Sequence, residues 1–426
     1  MGITRRTFLT ACTAAAALPA REAGVRIDHR VFPGLAAMDG NWAALLAASD
    51  GKVYAGLAYH GGDGHMVYYD SKQDRVHDIG NLTELCGEAG ERRGPQSKIH
   101  AKFGEGKDGR IYFGTHGGNW WDYARYATRE GYPGAHWMAY DPRTGHVEDF
   151  GIGPRYEGIN TGAYDAQFNR IYGLTHPRGH FVYYDVATRR KADLGRIDNW
   201  ESICRTLGID PHGNVYGSFG QGQIFKYDPR TDAITELSVR VPIRPKGVSL
   251  GRDYEKSETA WRTVVWDTKT SRFYGIDESA TILFSFDPQA GKDGVIERLG
   301  QLCIPGFEDR RDVPYATLSL TLGHDRKLYY GAAGREFDYG GSKGVAAAHL
   351  ITWDLAAGKK QDLGEMILED GCRVLGTNAA DTGPDGTIYM VGAIEVKPSG
   401  DKPPEAGGKV AGVPYRLAML MYRPHA

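Results

Sequence analysis

Asp108-Gly109-Arg110-Ile111-Tyr112 is a polar turn that runs directly into an apolar, aromatic strand, and the chain carries seven copies of it. The others are Asp50-Gly51-Lys52-Val53-Tyr54, Asn169-Arg170-Ile171-Tyr172, His212-Gly213-Asn214-Val215-Tyr216, Ser271-Arg272-Phe273-Tyr274, Arg326-Lys327-Leu328-Tyr329 and Asp385-Gly386-Thr387-Ile388-Tyr389. Their tyrosines stand 44 to 60 residues apart, long enough for one four-stranded unit plus loop insertions. A second signature trails most copies, as in Tyr140-Asp141-Pro142-Arg143-Thr144-Gly145 followed by Asp149-Phe150-Gly151, or Trp353-Asp354 followed by Asp362-Leu363-Gly364. Proline after aspartate presets the turn and the later glycine accepts a positive φ, so this is a hairpin between two outer strands. Each unit then has an inner strand, the strand ending in the repeat tyrosine, a third ending in Tyr-Asp and a fourth ending in Asp-Leu-Gly. Seven such sheets set radially make an all-β, seven-bladed β-propeller with four antiparallel strands per blade.

The chain ends complete the ring. The last copy reaches its third strand at Tyr415 to Tyr422, and the missing fourth is available as Val25 to Phe32 near the start. Pairing first with last would remove an exposed sheet edge. Composition agrees, with 58 glycines and 25 tyrosines among 426 residues, 41 % hydrophobic and 24 % charged. That profile excludes disorder, collagen and coiled coil. Residues 21–426 are expected to form one domain rather than the two or three that length alone suggests.

Residues 1–20 read as an export signal: Thr4-Arg5-Arg6-Thr7-Phe8-Leu9, a small apolar run from Thr10 to Ala17, then Leu18-Pro19-Ala20. The paired arginines are those of a twin-arginine signal, which predicts a periplasmic or secreted protein. No later stretch approaches the roughly 18 apolar residues of a membrane span. With 51 basic against 53 acidic residues there is no polybasic face for nucleic acid or membrane. Cys86, Cys204, Cys303 and Cys372 follow the signal, and the sequence leaves disulfides and buried thiols open. A monomer is expected.

In a propeller the inner strand starts on the face where the second strand ends, so both positions converge on one mouth of the central channel. Twelve residues before the repeat tyrosines stand Trp42, His100, Asn160, Cys204, Arg262, Thr317 and Thr377, with Arg205 next to Cys204. Four residues after them stand Ala58, His116, His176, Gly220, Glu278, Ala333 and Ala393, with His60 and His180 close by. This concentrates histidine and arginine on blades 2 to 5. A buried guanidinium needs water, a carboxylate or an anionic ligand, which makes Arg205 and Arg262 either anion clamps or structural ion pairs. Asn160 suits a sugar hydroxyl. The blade 2 insertion carries Trp120 and Trp121, flat amphipathic rings that suit the apolar face of a carbohydrate.

At His100, His116 and Arg205 the chain resembles the seven-bladed propeller polysaccharide lyases, the group that includes ulvan lyases and rhamnose-glucuronate lyases. The resemblance implies β-elimination from a uronate-containing glycan and gives His100, His116 and Arg205 catalytic roles; His176 joins them as a candidate proton donor, and Asn160, Arg262, His60, His180, Trp120 and Trp121 are candidate substrate-binding residues from their places in the sequence. One departure is visible, since His176 occupies the strand end where that group carries a tyrosine. Two other classes fit the same residues: a metal-dependent propeller hydrolase or lactonase, with a divalent cation held by the histidines, and a non-catalytic propeller that binds a glycan or a protein.

Overall fold

The computed structural model describes residues 24–91, 93–118, 131–200, 202–242, 260–278, 281–308, 316–333, 347–397, 406–410 and 412–424. The expected export signal, residues 1–20, and both tryptophans of the blade 2 insertion lie outside them. Seven sheets follow one another along the chain, each running from its innermost strand outward in sequence order. Blade 3 is representative: Gly158–Asp165, Arg170–His176, His180–Asp185 and Lys191–Arg196, all antiparallel. Blade 7 uses Val374–Thr382, Ile388–Glu395 and Val413–Tyr422, and its outer strand is Asp28–Val31 from the other end of the chain. Asp28 lies opposite Met421 and Val31 opposite Ala418, so the ring is closed by first pairing with last. The two residues before that strand, Val25–Arg26, instead pair parallel with Met366 and Ile367 at the edge of blade 6. The N-terminal segment therefore ties two blades.

The repeat motif has a local physical cause. At its turn position, three residues before each tyrosine, Gly51, Gly109, Gly213 and Gly386 have φ of 84°, 75°, 78° and 81°. The non-glycine residues at that position, Asn169, Ser271 and Arg326, take φ of 53°, 52° and 66°. All seven turns thus need the left-handed region, which glycine enters at least cost. The strand that follows buries its tyrosine ring in every blade, at about 2 kcal/mol each. In three blades the hydroxyl reaches the aspartate of the turn, Tyr54 to Asp50 at 2.8 Å, Tyr112 to Asp108 at 2.9 Å and Tyr329 to Asp325 at 2.9 Å. The tyrosine satisfies the core through its ring and the turn through its oxygen.

Apolar clusters fill the wedges between neighbouring blades. One contains Tyr172, Phe181, Tyr216, Phe225, Tyr227, Trp261 and Phe284 from blades 3, 4 and 5. Cys86, Cys204, Cys303 and Cys372 are all free and buried, which resolves the cysteine alternatives in favour of thiols. Burial pushes the Cys204 thiol up to about 12, so it is inert as a nucleophile.

Candidate functional site

The inner-strand starts and second-strand ends of blades 1 to 5 form one continuous arc. Trp42 stacks on His100 with ring centres 5.5 Å apart. His100 lies 5.7 Å from His116, and His116 lies 5.1 Å from His176. His176 meets Trp200 edge-on at 4.9 Å, and the Arg205 guanidinium sits 5.3 Å over the Trp200 ring. Glu278 closes the arc, 3.6 Å from Arg205 and 3.1 Å from Arg262. On blades 6 and 7 the corresponding residues, Thr317 and Thr377, direct their hydroxyls at the Gly331 carbonyl. The chemistry-bearing side chains therefore occupy one side of the mouth.

The three histidines are buried, with 7 %, 2 % and 1 % of their surface exposed for His100, His116 and His176. Burial lowers the pKa of each. The Lys98 charge adds to this for all three, and Arg205 and Arg262 add to it for His100. His176 is brought down to about 3. All three are neutral imidazoles at physiological pH. For His116 the tautomer follows from geometry, because Nδ1 lies 2.5 Å from the Gly117 carbonyl oxygen, which can only accept. Nδ1 carries the hydrogen and Nε2 keeps its lone pair. Three buried polar atoms around the arc have no hydrogen-bond partner among the described residues: His100 Nδ1, Asn160 Nδ2 and Glu278 Oε2. Each such atom costs about 1–3 kcal/mol unless something else satisfies it.

Arg205 is extensively committed. Its Nη1 donates to the Trp200 and Ile203 carbonyls at 2.6 and 2.7 Å, besides the contact with Glu278. Arg262 also pairs with Glu278. The structure thus realises the structural ion-pair alternative for both arginines. The third cation of the mouth is Lys98, absent from the expected set. It stands two residues before His100, and the alternation of Lys98 and His100 about Ile99 is the signal that would have found it. Trp42 and Glu278 occupied aligned positions in the repeat, while Trp200 lies in a connection that the repeat does not align.

His180 belongs to a different device. In four blades a histidine at or near the start of the third strand bonds through Nδ1 to an aspartate thirteen residues later: His65 with Asp78, His136 with Asp149, His180 with Asp193 and His349 with Asp362. In three of them the same aspartate accepts the amide of the glycine two residues on, at 2.7 Å for Gly151 and 2.8 Å for Gly195 and Gly364. This is the origin of the Asp-Leu-Gly strand ends. They are pins for a bulged outer strand, and blade 4 substitutes Gln223, which donates to the Leu237 carbonyl. The His180 pair is solvated, so His180→Ala is expected to cost under about 1 kcal/mol in urea denaturation and to leave ligand binding at the mouth unchanged. A tenfold loss of affinity would return His180 to the site. His60 is nearer the arc, edge-on to Trp42 at 5.0 Å, with Nδ1 2.9 Å from Asp39.

Among the described residues no group of three or more His, Cys, Asp or Glu side chains is arranged to hold a metal ion. The electrostatics point the same way, since Lys98, Arg205 and Arg262 make the imidazole arc a poor place for a cation. Further along the inner strands from the mouth, a cavity of about 390 Å³ lies in the channel, lined among others by Lys102, Trp266, His324 and Asp381.

No protein-family model and no curated protein matches the chain. Solved structures do. The chain is similar to the extracellular domain of a hybrid two-component system from B. thetaiotaomicron, at 12 % identity and a TM-score of 0.56 over 92 % of this chain. This chain spans 39 % of the length of that one. It is also similar to the RRP9 WD40 repeats, at 11 % identity and a TM-score of 0.56, covering 92 % of this chain and 97 % of that one. A chain of the Mitotic Checkpoint Complex matches at 12 % identity and a TM-score of 0.52, covering 91 % and 95 %. At such identities the likeness establishes the propeller fold alone. No helix among the described residues is long and apolar enough to cross a membrane.

Proposed function

We propose that this is an exported carbohydrate-active propeller that cleaves a uronate-containing glycan by β-elimination at the imidazole arc. The observation that carries the reading is the combination of three neutral, water-shielded imidazoles with three cations at one channel mouth. Elimination needs the sugar carboxylate neutralised, a base for the proton on the adjacent carbon, and a proton for the departing oxygen. His116 Nε2 is the base: it takes the proton, the electron pair forms the carbon–carbon double bond, and the glycosidic carbon–oxygen bond breaks. The departing oxygen takes that proton back from the His116 imidazolium, and His100 and His176 flank it as neutral hydrogen-bonding groups. An anionic sugar offsets the cationic share of the pKa lowering and so raises the basicity of the imidazoles, while burial, the larger cause, still opposes it.

A panel of uronate polysaccharides, read by the ultraviolet absorbance of unsaturated product ends, tests this. His116→Ala and His100→Ala are each expected to lower turnover at least 100-fold. Full activity in both variants sinks the mechanism. Glycan binding without product across the panel would make this a non-catalytic binding propeller.

A further inference from the structure

Lys98 is an ammonium inside the protein with nothing to pair with. Its residue is 4 % exposed, and among the described residues Nζ makes no hydrogen bond and no ion pair. Its partner is the face of Trp42, 4.7 Å from Nζ to the ring centre. The Lys98 backbone is paired with His116 in both directions, so the side chain is rooted beside the proposed base. Among the described residues Arg205 and Arg262 both meet Glu278, and Asp39 is bonded through both oxygens to His60. Lys98 is thus the cation of the three with no carboxylate in contact among the described residues.

We propose that Lys98 and Trp42 form the anion subsite of the mouth, which receives the carboxylate of a sugar acid; this rests on the glycan reading above. One ammonium matches one monoanion, whereas a dianionic phosphate would bring an excess charge into a shielded site. The flat Trp42 face beside the ammonium offers the apolar surface on which a pyranose ring lies. This assigns the carboxylate-neutralising role to Lys98 rather than Arg205, whose Nη1 is held by two backbone carbonyls and whose Nη2 faces Glu278. Burial brings the Lys98 ammonium down to about 8, with Asp39 opposing, while His100, His116 and His176 stay neutral across the same range. Carboxylate affinity then falls as pH rises past 8, because only the protonated amine pairs with it.

Calorimetric titration of the full chain with glucuronate, glucose and glucose 6-sulfate tests the subsite without any need for cleavage. The wild type is expected to bind glucuronate at least tenfold more tightly than glucose, with affinity falling about tenfold per pH unit above pH 8. Lys98→Met is expected to abolish that preference while melting at or above the wild-type temperature, since a buried unpaired charge has been removed. Lys98→Arg is expected to keep the preference and to lose the fall above pH 8, because a guanidinium does not titrate there. Unchanged glucuronate binding in Lys98→Met, or the same alkaline fall in Lys98→Arg, overturns the assignment. Equal affinity for glucose 6-sulfate overturns the choice of carboxylate. Lys98-dependent glucuronate binding with no polysaccharide cleavage leaves the subsite standing and removes the lyase reading.

Discussion

As pH falls from 6.5 to 4.5 the protein is expected to lose stability steadily, a large effect against the roughly 5–15 kcal/mol that holds a typical domain. The cause is the imidazole arc. In the unfolded chain His100, His116 and His176 titrate near 6.5, but burial and the neighbouring cations hold all three neutral in the fold well below that. The unfolded state therefore binds more protons as pH falls, and stability falls with it, by up to about 1.4 kcal/mol per unit for each histidine well below pH 6.5. Above pH 6.5 the slope fades as the unfolded-state imidazoles lose their protons. Urea denaturation at half-unit pH steps reads the effect, and His176→Asn is expected to remove about a third of the slope. A flat profile from pH 6.5 to 4.5 would show that the arc takes up protons in the folded state.

Replacing His136 by alanine is expected to cost about 3–5 kcal/mol, read as a lower urea midpoint with an unchanged slope. His136 is the pin of blade 2, and it alone among the four is an ion pair on both nitrogens. Nδ1 lies 2.9 Å from both Asp149 oxygens and Nε2 lies 3.1 Å from buried Glu88. Despite the cost of burial, the hydrogen bonds to Asp149, Cys86 and Glu88 raise its pKa to about 11, so it is an imidazolium in the fold. Without it the Glu88 carboxylate is left buried with Gln96 as its remaining side-chain donor, at 3.0 Å. The double change His136→Gln with Glu88→Gln is expected to cost less than His136→Ala alone, because no buried charge is stranded. The stabilisation from His136 is fully present below pH 6.5 and declines as pH rises toward 11, so the stability maximum is expected near pH 6.5. A single variant within 1 kcal/mol of wild type would overturn the assignment of His136 as the buried ion-pair partner of Glu88.

The comparison of His176 with His180 shows how far residue positions carry. The two are four residues apart on adjacent strands of blade 3, and both stood out beside the aligned positions. His176 turns to the channel, between His116 and Trp200, while His180 turns to the outer strand and Asp193. The thirteen-residue spacing to an Asp-Leu-Gly end, shared with His65, His136 and His349, was the legible mark of the second role. Arg205 and Arg262 were visible as costly inner-strand cations, but their sharing of Glu278 required blades 4 and 5 to be side by side.

What the sequence by itself determined is the propeller: seven turns, each with a left-handed residue three places before a buried tyrosine, and a strand at the N-terminus for the one missing at the C-terminus. Those features are legible because their causes are local, a φ value, a ring to bury, an aspartate within reach of a hydroxyl. What only the tertiary structure decided is the charge state of the mouth. Lys98, Arg205, Arg262, Asp39 and Glu278 come from four blades or their connections, and whether each charge is paired depends on how the ring brings them together. Electrostatic pairing falls off with distance in space rather than along the chain, so a Lys98 without a carboxylate in contact could be recognised only once the ring had closed.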